Sequence, residues 1–151
     1  MALGPGTEEQ IARLRADLRM GLPVVLKSGA DAALVLAAET LTPERLTLAR
    51  GIGQSPVLAI TARRAETLRA RAYDGDLARV ILPHNADADW IIAVSDPSKD
   101  LSTPLKGPCR SARAGDAALH RAAIHLCKQA RLLPAVLVIE IEDGDTVARE
   151  N

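Results

Sequence analysis

Short apolar runs alternate with capped helical segments along the whole chain, and this alternation constrains the fold more than any other feature. Pro23-Val-Val-Leu26, Ala33 to Ala38, Pro56 to Thr61, Val80-Ile-Leu82 and Ala135 to Ile141 read as strands. Helix signals stand between them. Thr7-Glu-Glu-Gln10 has the form of a capping box, Ile11, Leu14 and Leu18 follow at helical spacing, and Gly21 is a natural stop. Thr42-Pro43-Glu44 opens a second helix, with a capping hydroxyl and a proline where no donor is needed, and that helix ends near Gly51-Ile-Gly53. Thr61 caps a helix from Ala62 to about Ala70, and Asn85 caps one through Val94, with a strand over Trp90 to Val94 as the competing assignment. Ser98 to Ala114 reads as a loop, and Asp116 caps a helix to about Arg131. Glu142-Asp-Gly-Asp145 has the form of a hairpin turn into Thr146-Val-Ala-Arg149. The expectation is a single α/β (α+β) domain over 1–151, with helices packed on a mixed sheet. The last strand runs almost to Asn151, as expected of one module in a longer polypeptide.

Composition narrows the function. Charge is balanced, with 19 Lys+Arg against 19 Asp+Glu, and the chain holds one Trp, one Tyr and no Phe. A nucleic-acid binder shows a basic excess or aromatic stacking platforms, and neither is present. Ala135 to Ile141 is too short to cross a bilayer, and the first residues lack the regions of a signal peptide, so a cytoplasmic protein away from membranes is expected. Cys109 and Cys127 lack metal-type spacing and read as inert thiols.

Candidate chemistry is sparse. Gly51-Ile-Gly53 lacks the third glycine of a dinucleotide fingerprint and follows a helix, so it reads as a helix end. His84, His120 and His125 form no local metal triplet, and Asp116 sits four residues before His120, where the two can pair. Asp87 and Asp89 suit the first turn of a helix, and Asp143 and Asp145 flank a hairpin glycine. Glu140 stands out as a carboxylate inside an apolar strand, where burial is costly unless it is satisfied; alternation can equally place it on a solvated face. Lys99, Lys106, Arg110 and Arg113 make the central loop basic, and Lys106 and Arg110 are the candidates there for an anionic ligand.

The segment Leu132-Leu-Pro134-Ala-Val-Leu-Val-Ile-Glu140-Ile-Glu-Asp-Gly-Asp-Thr-Val-Ala-Arg149, behind Ala122-Ala-Ile-His-Leu-Cys127, resembles the C-terminal end of 3,4-dihydroxy-2-butanone 4-phosphate synthases. Ile11 to Leu26, Leu34-Val-Leu-Ala-Ala-Glu39, Leu41-Thr-Pro-Glu44 and Pro56 to Thr61 are similar to that family's opening segments. The resemblance implies the synthase fold. It also marks departures. Where the family carries a metal-binding loop, Asp-Asp-Glu-Asp-Arg-Glu-Asn-Glu-Gly-Asp, this chain has Lys27-Ser-Gly-Ala-Asp31-Ala-Ala33, with Asp31 its one acid. The family's Gly-His-Thr-Glu-Ala falls on Ala118-Leu119-His120-Arg121-Ala122, so its ligand histidine becomes Leu119. A shift of one position turns a helical side chain by roughly 100 degrees, which makes His120 a poor substitute. A family cysteine falls on Val57, and Glu140 alone matches a functional carboxylate.

Asp96-Pro97-Ser-Lys-Asp-Leu-Ser-Thr-Pro-Leu105-Lys-Gly-Pro108 and Ala130-Arg-Leu-Leu-Pro134 resemble the N-terminal part of certain bacterial GTP cyclohydrolase II proteins. The cyclohydrolase zinc motif is not in these residues. What the resemblance implies is a non-catalytic, degenerate synthase-like domain that needs no cofactor and serves as scaffold or dimerisation module beside a cyclohydrolase. Two alternatives stay open. One is a divergent magnesium-dependent sugar-phosphate lyase using Glu140, His120 and Asp31; the other is a module that binds an anionic ligand or nucleotide.

Overall fold

A computed structural model describes residues 6–29, 31–52, 55–101, 109–113 and 115–141. Ten elements follow one another: α1 Thr7–Arg19, β1 Val24–Ser28, β2 Asp31–Ala37, α2 Pro43–Arg50, β3 Val57–Thr61, α3 Ala62–Leu68, β4 Leu77–Ile81, α4 Ala88–Ser95, α5 Ala118–Gln129 and β5 Ala135–Ile141, with a 3-10 turn at Pro97–Lys99 after α4. The strands form one sheet in the order β1-β2-β5-β3-β4.

Each neighbouring pair in this sheet is antiparallel, so the expected mixed sheet is corrected. The cause lies in β5, which enters the centre of the sheet between β2 and β3 and runs against both. A strand covered on two faces must be apolar at successive positions, not alternating ones. Ala135, Val136, Leu137, Val138 and Ile139 are all buried, which accounts for the unbroken apolar run in the sequence.

The pleat divides these residues between two cores. Ala135, Leu137, Ile139 and Ile141 point with Leu34, Leu36, Leu58 and Ile60 towards α2, α3 and α4, whose Leu46, Ala65, Ile91 and Val94 close that side. Val136 and Val138 point the other way with Ala33 and Val35, under Leu18 of α1 and Ala123, Ile124 and Cys127 of α5. The result is a three-layer sandwich of helices, sheet and helices.

Several helix boundaries differ from the sequence reading. Gly6, not Thr7, is the N-cap of α1, and no side chain caps it. Thr42 and Thr61 cap α2 and α3 as expected, accepting from the Arg45 and Arg64 amides at 3.3 and 3.1 Å. Residues 90–94 are helical, and the cap of α4 is Asp87, whose Oδ1 accepts from the Trp90 amide at 2.8 Å. Asn85 stands two residues too early, inside a turn closed by Ala86 N to Pro83 O. In front of α5, Asp116 Oδ1 accepts from the Ala118 amide at 3.1 Å, while Ala117 occupies the cap position and the helix ends at Gln129. The hairpin and strand expected over 142–149 lie outside the described residues.

Gly21 is required where α1 turns into β1. It has φ +79, its amide bonds Leu18 O at 3.0 Å, and Leu22 N bonds Asp17 O at 2.9 Å, a Schellman closure. A Cβ there would stand 2.9 Å from the Thr40 carbonyl oxygen, which backbone cannot readily yield. Gly21→Ala is expected to cost about 2 kcal/mol or more, combining left-handed strain with that clash, as read by urea unfolding.

Candidate functional site

The synthase resemblance directs attention to the end of the sheet where β1 turns into β2 and β5 finishes. The strands β1 and β2 pair out to Ser28↔Asp31, so only Gly29 and Ala30 join them. Gly29 takes φ +61, the left-handed conformation that a tight hairpin turn uses and that glycine adopts without strain. Asp31 and Glu140 are both exposed. Glu140 pairs with Ala33, two residues from Asp31 on β2, so the two carboxylates share a face as diagonal neighbours with Cα atoms roughly 7–8 Å apart. The solvated reading of Glu140 is therefore the one the fold adopts.

A hard divalent cation takes six or more oxygen ligands, or fewer with several waters. Among the described residues, no group of three His, Cys, Asp or Glu side chains is placed to hold a metal ion. Asp31 and Glu140 supply two carboxylates at this end of the sheet. Asp143 and Asp145 lie outside the described residues.

His120 belongs to a different neighbourhood. It lies in the first turns of α5 and is only 2% exposed, with Nδ1 lacking any hydrogen-bond partner. Its charged surroundings are Arg79, Asp74 and Asp116, and burial together with Arg79 pushes its pKa down to about 4. Asp116 thus acts on His120 through its charge while its carboxylate accepts from the Ala118 amide. Arg79 lies level with Val136 and two strands from β5, which puts it roughly 16 Å from Glu140 at normal strand spacings. Leu119, at the position of the family's ligand histidine, is buried in the core beneath α5. The three sequence candidates are not drawn into one catalytic constellation.

The basic-loop candidates fare differently. Lys106 lies outside the described residues. Arg110 is exposed, and its carbonyl accepts from Ile81 N at 2.7 Å, so this stretch lies along the edge of β4, where Ser111 bridges Val80. Cys127 is buried, and desolvation pushes its thiol up to about 12, which removes it as a nucleophile. Gly51 is the C-cap of α2, as its spacing indicates; Gly53 lies outside the described residues.

Three features were not readable from local sequence. Arg64 and Arg79 are buried arginines held in bidentate ion pairs by Asp100 and Asp74. An apolar groove of about 480 Å³ lies between α2 and β2, with Leu34, Leu36 and Leu48 in its wall and Asp17, Glu44 and Arg45 at its rim. A second groove of about 390 Å³ lies between α3 and α5 and is basic. The Arg64–Asp100 pair and both grooves join residues distant in the chain, so no local motif announces them.

No family model matches the chain. In sequence it is similar to a GTP cyclohydrolase-2 of Azospirillum brasilense, at 28% identity over 142 residues, which is 93% of this chain and 37% of that protein. The chain thus spans well under half the length of this relative. In structure it is similar to a two-domain 3,4-dihydroxy-2-butanone 4-phosphate synthase from A. baumannii, with TM-score 0.62, 19% identity, and coverage of 87% of this chain and 47% of that one. It is likewise similar to a 3,4-dihydroxy-2-butanone 4-phosphate synthase in complex with two magnesium ions, with TM-score 0.63, 20% identity, and coverage of 87% and 74%. The chain has the fold of these synthases, and its sequence resembles part of a cyclohydrolase II protein.

Proposed function

We propose that this chain is a non-catalytic synthase-like domain of a riboflavin-pathway GTP cyclohydrolase II, its 151 residues forming the N-terminal module of a longer cytoplasmic polypeptide. Its role is that of a scaffold that pairs with a second copy and supports the cyclohydrolase domain. The observation that carries the reading is the β1–β2 hairpin. Pairing out to Ser28↔Asp31 leaves two linking residues where the synthase family has its acidic loop. The burial of Leu119 at the histidine position supports the same conclusion. Core positions on β2, β3 and β5 are kept while the groups that would hold a cation and move a proton are replaced. That is the pattern expected when a fold is retained for packing and its chemistry is given up.

The test is formate release from ribulose 5-phosphate by the purified chain with magnesium, beside an intact synthase. Release no faster than the enzyme-free blank is expected, and sedimentation of the same sample is expected to give a dimer. Formate release abolished by Glu140→Gln would instead establish a divergent lyase. A monomer would remove the pairing role.

A further inference from the structure

The groove between α5 and the start of α3 gathers positive charge that the sequence scatters. It has a volume of about 390 Å³, and Arg63, Arg121, His125 and Lys128 line it against the single carboxylate of Asp76. The chain as a whole balances 19 basic residues with 19 acidic ones, so this is a local concentration rather than an average. Arg121, His125 and Lys128 follow at i, i+4 and i+7 and share one face of α5, while Arg63 comes from the first turn of α3.

These cations are not equivalent. Arg121 Nε donates to both oxygens of Asp76 at 3.0 Å, and Nη2 donates to Oδ1 at 2.9 Å and to the Asp74 carbonyl at 3.2 Å. That pair cancels its own charge and fixes one wall. Arg63 and Lys128 remain as the net positive charge, with His125 as a further donor. Below them the buried side chains of Ile124 and Leu77 give the groove an apolar base. The volume falls within the range of small-molecule sites, about 300–1,000 Å³. No Phe, Tyr or Trp lines it, so it lacks the large stacking platforms that hold the bases of a nucleic acid. A dianion with three acceptor oxygens, carried on a short carbon skeleton, matches both the donors and the base.

We propose that this groove binds the phosphate group of a small phosphomonoester, with Arg63 and Lys128 contacting the phosphate oxygens and His125 donating beside them. The site uses none of Asp31, Glu140 and His120, so it stands or falls independently of the scaffold reading. The experiment is an amide NMR titration of the labelled chain at low ionic strength with inorganic phosphate, glycerol 3-phosphate and glycerol. Saturable shifts confined to the start of α3 and the exposed face of α5 are expected with the two phosphates and not with glycerol. Arg63 and Lys128 are exposed, so an Arg63→Ala/Lys128→Ala double variant keeps the fold. That variant is expected to bind the phosphates roughly tenfold more weakly or worse. Shifts that never saturate, that glycerol reproduces, or that survive in the double variant would overturn the proposal.

Discussion

Replacing Arg64 with alanine is expected to cost about 3–5 kcal/mol of folding stability and to lower the melting temperature by roughly 10 °C. The side chain is 9% exposed and extends from α3 under the end of α4. Its Nε donates to the Val94 carbonyl at 2.7 Å and Nη2 to the Ala93 carbonyl at 3.3 Å. Nη1 and Nη2 also grip the two oxygens of Asp100 at 2.8 and 2.7 Å. One guanidinium therefore satisfies carbonyls that α4 leaves open at its C-terminus, places a positive charge at the negative end of the helix dipole, and ties down the 3-10 turn beyond it. Truncation removes these bonds together and leaves buried acceptors without donors, the costly side of the hydrogen-bond balance.

Lysine is not an adequate replacement, because a point charge cannot bridge a carboxylate and a helix end at once. Arg64→Lys is expected to recover less than half of the loss. The reciprocal change, Asp100→Ala, costs less than Arg64→Ala because Asp100 is one-third exposed and the arginine keeps its carbonyl contacts. Urea unfolding of the two single variants and the double variant measures the coupling, which is expected to be favourable by about 1 kcal/mol or more. Strictly additive losses would show that the helix-end contacts, not the ion pair, carry the effect.

The same ion pair explains part of what the sequence could not disclose. Arg64 looks like any exposed basic residue of a short helix, since Asp100 lies 36 positions away. Arg79 obscured the extent of a strand for a related reason: an arginine inside Leu77-Ala-Arg79-Val80-Ile81 breaks the apolar run and shortens the apparent strand to Val80-Ile-Leu82. In the fold, Asp74 neutralises it from five residues away, Nε to Oδ2 at 2.8 Å, and the strand continues through it. The central strand β5 was legible because burial on both faces demands an unbroken apolar run. Its place between β2 and β3 was not, since strand order depends on pairings between segments about a hundred residues apart. At the candidate site, the short turn from Lys27 to Asp31 with its one acid was legible in the sequence, whereas the separation of Glu140 from His120 required the register of β5, β3 and β4. The basic groove escaped because Arg63 and Lys128 reach it from separate helices, while attention to charge in the sequence falls on the nearer run of Lys106 and Arg110.

Acidification from pH 7 to pH 5 is expected to remove about 2 kcal/mol of stability through His120 alone. The folded chain holds this imidazole neutral, its pKa moved from 6.5 to about 4, chiefly by burial and then by the charge of Arg79, against the opposite pull of Asp74 and Asp116. The unfolded chain takes up the proton near pH 6.5, and the folded chain does not until about pH 4. The contribution is therefore complete above pH 6.5, declines by about 1.4 kcal/mol per unit below it, and has fallen by roughly 3 kcal/mol once pH passes below 4. His120→Leu separates this group from other acid-sensitive pairs. It fills a similar volume and removes the unpartnered Nδ1, so at pH 7 its stability is expected to match the parent or exceed it by about 1 kcal/mol. Its stability profile between pH 7 and 5 is expected to be flatter by about 2 kcal/mol, measured by urea unfolding at several pH values. A residue that placed or moved a proton for a reaction would need to exchange it near neutral pH. A leucine variant as stable as the parent, with the acid-sensitive slope gone, would identify His120 as a packed core group and withdraw it from the catalytic candidates. An unchanged slope would mean that the folded protein accommodates the imidazolium, and would return His120 to that list.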